Sequence, residues 1–327
     1  MRSSIHGYDM PIEHARTVSA VPPTMGASTG GEEELVRRPA TWWVRLFGNS
    51  RSLTATGILF FMLLLALAAG TLAPYKYKDQ LRGSELVGPC ASHFFGTDYL
   101  GRDILSRVMY GARVSLLIGI SATVLSLLIG VTLGLCSGYF GGKIDAVLMR
   151  FTDTIAAFPT LLLAIAITAL YKRTPAENPD LLVANPSFWI LFFALGVVGW
   201  TGIARVVRAQ VLTIKTLDYV TAAQALGGGS GRIMFRHVLP NCVAPIIVLA
   251  TLSIGGNILG EAGLSFLGLG IQEPFPSWGG MLSDAKSYFE TQWWLAVFPG
   301  TAIVLTVLSF NLLGDGLRDA LDPKAMK

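Results

Sequence analysis

Residues 114–139, VSLLIGISATVLSLLIGVTLGLCSGY, run 26 positions without an Asp, Glu, Lys or Arg. As a helix rising about 1.5 Å per residue, this stretch exceeds the ~30 Å hydrocarbon core of a bilayer. Five further uncharged windows share its character: 53–73, 154–171, 187–204, 238–260 and 295–314. Each is about 18 residues or longer, so the chain is read as an all-α integral membrane protein with six transmembrane helices. The composition agrees. Of 327 residues, 52% are hydrophobic and 14% charged, and the mean hydropathy is +0.55, too apolar for the wet surface of a soluble domain. A soluble enzyme is excluded. So is a nucleic-acid binder, despite the formal net charge of +4, and so is a porin-type barrel, whose strands would alternate in character over about 10 residues.

Outward from the spans, residues 1–40 hold Gly, Ser, Thr, Pro and the acidic run Glu32–Glu34 with little hydrophobic periodicity. They cannot bury enough apolar area to offset the entropy of ordering. Residues 1–52 are read as a flexible tail, and 41–47 (Thr41-Trp42-Trp43-Val44-Arg45-Leu46-Phe47) as an anchor at headgroup level, where aromatic and basic side chains collect. With the termini on one side, the tail, the 140–153 and 205–237 loops and the C-terminus hold 16 Lys and Arg, against 9 in the opposite loops. Both termini are therefore expected to be cytoplasmic. Cys90, Cys136 and Cys242 have no metal-type spacing and imply no disulfide framework. His6, His14, His93 and His237 lie outside the windows and are read as solvated loop residues, which leaves no zinc site and no intramembrane histidine relay. No catalytic residue, metal site or bound cofactor is expected in this chain.

The 205–237 loop is the most lopsided in charge: Arg205, Arg208, Lys215, Arg232 and Arg236 face Asp218 alone. Within it, residues 218–226 are rich in helix formers, Asp218 suits an N-terminus and Gly227 a terminus of the other kind. A two-turn helix is predicted. Ala222, Ala223 and Ala225 keep its surface low for close approach by another protein, while Tyr219 and Leu226 project as knobs. After Gly227-Gly228-Gly229-Ser230-Gly231, a second short helical stretch sets Arg232 and Arg236 at i, i+4, and Pro240 is expected to end it and open the fifth span. The glycine cluster is not a phosphate loop, because it follows a helix rather than a strand and no Lys-Ser or Lys-Thr comes after it. No Gly-x4-Gly-Lys-Ser/Thr pattern occurs elsewhere, so ATP is not bound by that route.

The run Thr221-Ala222-Ala223-x3-Gly227, followed by Leu239-Pro240, resembles the cytoplasmic signature loop of ABC importer permeases. Thr221 stands where the family pattern is acidic, and His237 and Val238 stand near its isoleucine position. Three further stretches, HFFGTDYLGRDILSRVMYGARVSL (93–116), EAGLSFLGLGIQEPFPSWGGMLSDA (261–285) and FPGTAIVLTVLSFNLLGDGLRDALDP (298–323), look like hallmarks of the dipeptide, oligopeptide and nickel branch, in its second-permease (C-type) member. The resemblance covers about residues 45–323. It implies a type I, MetI-like permease fold in the bacterial inner membrane, and import of di- or oligopeptides, with nickel or another small solute as the alternative. It also implies four kinds of partner: a different second permease, two cytoplasmic ATPase subunits that use ATP and Mg, an extracytoplasmic solute-binding protein, and the bilayer. The ATPase contact would then comprise Asp218, Tyr219, Thr221, Ala222, Ala223, Leu226, Gly227, Arg232, Arg236 and Pro240.

An ion-coupled secondary transporter would place carboxylates at the membrane midplane, whereas every Asp and Glu here lies outside the six windows. An intramembrane enzyme would need a nucleophile with its base, and none is evident. Asp153 and Glu261, at span edges, are either helix-end charges or groups lining a water-filled path. Pro159 predicts a kink near one membrane face, as a hinge or as a packing feature. Phe266 and Trp278, in the Gly-rich 261–285 segment, belong either to a gate or binding-protein contact, or to a re-entrant packing element.

Overall fold

The structure, a computed structural model, describes residues 42–170 and 182–321. The expected tail through Thr41, Tyr171 at the end of the third window, and the last six residues lie outside them. Helix α1 (Trp42–Gly48) buries Leu46 and leaves Trp42, Trp43 and Phe47 exposed. Asn49 caps α2 (Ser50–Leu72) by accepting the Arg51 N–H. Asp103 does the same for α3 (Ile104–Phe140) through the Ser106 N–H, and Gly141, at φ 64°, ends that helix. Next come α4 (Gly142–Ala156), α5 (Thr160–Leu170), α6 (Pro186–Ile214), capped by Asn185, and α7 (Asp218–Ala225). A short α8 (Ser230–Ile233) passes through a π turn (Met234–Val238) and a 3-10 turn (Leu239–Cys242) into α9 (Val243–Phe266). Finally α10 (Trp278–Ala285) precedes α11 (Trp294–Leu321).

Among the described residues, five helical stretches are long and apolar enough to cross a membrane: α2, α3, α6, the continuous run Ser230–Phe266, and α11. The sixth window is different. It straddles the break between α4 and α5, which are bent by 82°, so among the described residues this window is a broken span or a re-entrant segment rather than one straight helix. Pro159 sits at this break, where its missing N–H and restricted φ stop α4 from continuing. The expected loop 205–237 is also shorter than its charge suggested. Arg205 and Arg208 lie inside α6, which meets no helix breaker before Ile214. Pro240 does not end the helix that precedes it; the π turn and 3-10 turn carry the chain past it.

The most extensive packing joins α3 to α6 along Ser126, Gly130, Gly134 and Gly138, small residues recurring every fourth position. A Cβ added to Gly130 would lie 2.8 Å from the Trp200 carbonyl, one on Gly134 2.6 Å from the Ala204 carbonyl, and one on Gly138 2.7 Å from Val211 Cβ. Ser126 Oγ donates to the Gly196 carbonyl at 2.9 Å. Hydrocarbon tails are as apolar as leucine, so helices in a bilayer are held by close packing and polar contacts of this kind. A second polar contact, Asn257 Nδ2 to Thr123 Oγ1 at 2.8 Å, joins α9 to α3. Replacing Gly134 by Ala would press a methyl group onto a backbone oxygen that cannot move away. We expect a loss of roughly 1–3 kcal/mol, read as a lower Tm of the purified chain in detergent. Gly202, in α6, has open space around it, and Gly202→Ala should hold Tm or raise it slightly.

Candidate functional site

Helix α7 stands at the end of the bundle where α3 ends and α8 begins. One side of it is anchored: Val220 is fully buried among Val207, Val211 and Ile214 of α6, Ile233 of α8 and Val238. The other side is bare. Tyr219, Ala222 and Leu226, at i, i+3 and i+7, are all exposed, and Leu226 is 89% exposed. Asp218 and Thr221 flank that face, and Thr221 Oγ1 donates back to the Asp218 carbonyl. The helix ends in a Schellman motif: the Gly227 N–H donates to the Gln224 carbonyl and the Gly228 N–H to the Ala223 carbonyl, with Gly227 at φ 78°. The helix and its glycine stop lie where the sequence predicts them. Ala223 is half-buried against the core, so Ala222 rather than Ala223 is the low point of the open face.

Ion pairs brace the same end. Arg208 grips Asp145 of α4 with two hydrogen bonds, Nε to Oδ1 at 2.5 Å and Nη2 to Oδ2 at 2.6 Å, and Ser137 Oγ donates to the same carboxylate. Arg205 Nη2 meets Asp153 Oδ1 at 2.8 Å, in a pair that is largely exposed. Lys215 Nζ donates to the Gly138 carbonyl at 2.7 Å. Asp153 is thus paired with α6.

At the opposite end, two of the three stretches quoted separately above, 93–116 and 261–285, come together. Asp98 accepts the backbone N–H of Leu100 and Arg102 and the Arg102 Nε at 2.6 Å. Arg102 also reaches Glu273, Nη1 to Oε1 at 2.5 Å, and Arg102 and Arg107 lie 3.5 and 3.6 Å from Asp284. Asp98, Arg102 and Arg107 are buried. Burial by itself would lower the pKa of Arg102, but Asp98 and Glu273 outweigh it and hold the guanidinium above its ordinary value. Burial lifts the Asp284 carboxyl, and Arg107 and Arg102 offset part of that rise. His93 is no solvated loop residue: it is buried, with Nδ1 3.0 Å from Asp103 Oδ1, because the loop before α3 folds over that helix cap.

Glu261 is at neither a helix end nor an open path. It is fully buried inside α9, with Ser115 Oγ donating to Oε2 at 3.0 Å and Ser265 Oγ to Oε1 at 2.6 Å. Trp278 is also fully buried and donates Nε1–H to the Val108 carbonyl at 3.0 Å, and α10 packs against α9 and α11 as well as α3. Phe266 lies under Lys286, whose Nζ is 3.9 Å from the ring centroid and donates to the Phe266 carbonyl. Pro159 lies beside a shallow cavity of about 220 Å³, lined by Leu161, Leu195, Gly199 and Asn257 among others.

A family model described as "Binding-protein-dependent transport system inner membrane component" matches residues 130–327, from mid-α3 through α7 and α11. The chain belongs to this family. A second model, "N-terminal TM domain of oligopeptide transport permease C", matches residues 40–89, which include α1 and α2. The permease is 46% identical over 279 residues to the di/tripeptide transport system permease protein DppC of Pseudomonas aeruginosa, covering 83% of this chain and 88% of that one. It is 40% identical over 318 residues to the dipeptide transport system permease protein DppC of Alkalihalophilus pseudofirmus, covering 96% and 99%. To the glutathione transport system permease protein GsiD of Pectobacterium atrosepticum it is 44% identical over 297 residues, covering 89% and 93%. The permease is a multi-pass membrane subunit of an ABC importer, a transport component rather than an enzyme, and it works with ATPase and binding-protein partners.

Sequence reasoning treated the charges of 93–116 as loop charges and missed the buried network; the alternation of Asp98, Arg102, Asp103 and Arg107 at helical spacing was its only signal. Removing Arg102 would leave Asp98 buried without its main partner. Arg102→Ala should cost roughly 3–5 kcal/mol, whereas Arg205→Ala, at an exposed pair, should cost less than about 1 kcal/mol. Thermal unfolding of the two variants in detergent checks the contrast.

Proposed function

We propose that this permease forms half of the transmembrane path of a di- or oligopeptide importer in the bacterial inner membrane, with a different second permease, two cytoplasmic ATPase subunits and an extracytoplasmic binding protein. The observation that carries the peptide reading is the identity, spread over nearly the whole chain, to relatives named for dipeptide, di/tripeptide and oligopeptide transport. Peptides are preferred to nickel complexes on that ground. ATP and Mg would be used by the ATPase subunits alone.

In this reading α7 faces the cytoplasm and docks on an ATPase subunit through Tyr219, Ala222 and Leu226, with Asp218 and Thr221 at its edge. Asp218 supplies the negative charge that Thr221 lacks. The support is mechanical: an exposed apolar face lies on one side of a helix whose other side is keyed into α6 by Val220. A push on α7 is then passed to the spans rather than absorbed by a loop. Gly227 sets the angle of return, and Arg232, Arg236 and Pro240 lie on the return path rather than on the docking face.

Reconstituted with its partners, the chain should import peptide on ATP and not on an ion gradient; uptake by the chain alone on an ion gradient would defeat the reading. Ala222→Asp puts an unpaired charge on the docking face, and Gly227→Val forces a β-branched residue into a left-handed position at roughly 1–2 kcal/mol. Both variants should reach the membrane, yet lose ATP-driven uptake and ATPase retention in pull-downs. Retention at the unmutated level in both would remove α7 from the coupling step. Cys90 is exposed, Cys242 buried and Cys136 half-buried. An impermeant thiol reagent added to spheroplasts should therefore label Cys90 alone, and labelling that survives Cys90→Ser would reverse the orientation.

A further inference from the structure

Asn257 of α9 is only 9% exposed, and half of its carboxamide is spent inside the bundle, where Nδ2 donates to Thr123 Oγ1 at 2.8 Å. The direction of that bond is fixed. The Thr123 hydroxyl gives its single proton to the Gly119 carbonyl at 2.8 Å, so it can only accept from Asn257. The carboxamide oxygen therefore points the other way, toward Gly199 of α6, where an added Cβ would lie 3.8 Å from Oδ1. Among the described residues nothing donates to this oxygen, and it is not sealed inside the protein.

Asn257 and Gly199 both line the cavity of about 220 Å³ beside Pro159, which is bounded by α5, α6 and α9. Thr160 stands at its α5 edge, and Gly256 and Gly260 line it from α9. No atom comes within 4 Å of a Cβ built on Gly256, so glycine there keeps space open instead of serving a helix contact. Gly199 and Thr123 lie near the middle of α6 and α3, which sets the cavity well inside the spans. Hydrocarbon has no donor to offer. An acceptor left open at this depth belongs on a wet path through the bundle rather than against lipid.

We propose that this recess is a peptide-backbone contact on the translocation path, in which Asn257 Oδ1 accepts an N–H from the passing peptide. Its volume of about 220 Å³ is below the ~300 Å³ at which pockets begin to enclose a whole small molecule. It takes one residue of an extended chain. Glycine walls let that chain's backbone come close, because no Cβ stands in the way. A backbone N–H recurs at every peptide residue except proline whatever the side chain, so an acceptor of this kind holds peptides without selecting their sequence. The inference rests on the peptide-importer reading and adds a substrate-binding residue to it.

The test uses the assembled importer with Gly256→Cys as the only thiol of this chain, after Cys90→Ser, Cys136→Ser and Cys242→Ser. Its labelling by a charged, water-soluble methanethiosulfonate is followed in detergent, nucleotide-free and ATP-trapped, with trialanine or its backbone-N-methylated analogue present. The thiol should be labelled, and trialanine should slow that labelling in at least one of the two states. The methylated analogue should need roughly fivefold more for the same protection, the worth of one hydrogen bond. With Asn257→Leu added, labelling should persist and the two peptides should protect alike. No labelling in either state would mean that lipid or protein covers the cavity, and labelling that neither peptide slows would make it wet but empty of substrate; both results overturn the proposal. A preference for trialanine that survives Asn257→Leu would remove Asn257 from the contact. ATP-driven uptake of trialanine into vesicles by the unmutated importer separates the two readings: uptake with an unprotected thiol overturns this site alone, and no uptake overturns the importer reading with it.

Discussion

Close approach of α3 and α6 is the constraint on which the rest of the permease depends. Without water to drive apolar surfaces together, two long helices in lipid stay paired only where their backbones come near enough for dense contact. Ser126, Gly130, Gly134 and Gly138 supply that nearness over three turns. The seam ends where Val207, Val211 and Ile214 turn their side chains toward Val220. The polar anchors of the α7 end, Ser137 to Asp145 and Lys215 to Gly138, start from the last turn of the same seam. The position of α7 is therefore inherited from a line of small residues well inside the membrane span.

The two ends of the bundle are built on different physics. At the α7 end the ion pairs are partly open to solvent, and the structural weight rests on aliphatic packing around Val220. At the other end Asp98, Arg102 and Arg107 are out of water, each charge answered by an opposite one, and the loop before α3 is fastened to α10 through Asp284. Buried ion pairs contribute little net stability but are costly to break one partner at a time. Between the ends, the 82° break at Pro159 is where the helical layers depart from straight spans.

The uncharged windows made the membrane class and five of the crossings legible, because charge is excluded from lipid whatever the packing. The same rule blurred the third span: it registers hydrophobic length but not direction, and Pro159 turned a single apolar run into two helices at an angle. α7 was legible down to its Gly227 stop, since caps are local chemistry. The facing of Ala222 and Ala223 was not, because alanine looks the same on either side of a helix until Val220 finds its pocket. The roles of His93, Glu261 and Trp278 were invisible for a related reason. Each has a partner 10 to 170 positions away in the chain, and no local pattern distinguishes a carboxylate that a distant serine helps to satisfy from one facing water.

If the seam, the Val220 pocket and α7 move as one body, the cytoplasmic end of α3 and the middle of α7 keep their separation while the importer works. Spin labels on Phe140→Cys and Gln224→Cys, in an otherwise cysteine-free chain within the assembled importer, measure that separation directly by pulsed electron resonance. The expected result is one distance distribution, the same in the nucleotide-free and ATP-trapped states. A shift of the distribution between those states, or a second population in either, would show that α7 swings on the Lys215–Leu217 connection and would contradict rigid transmission from α7 to the spans.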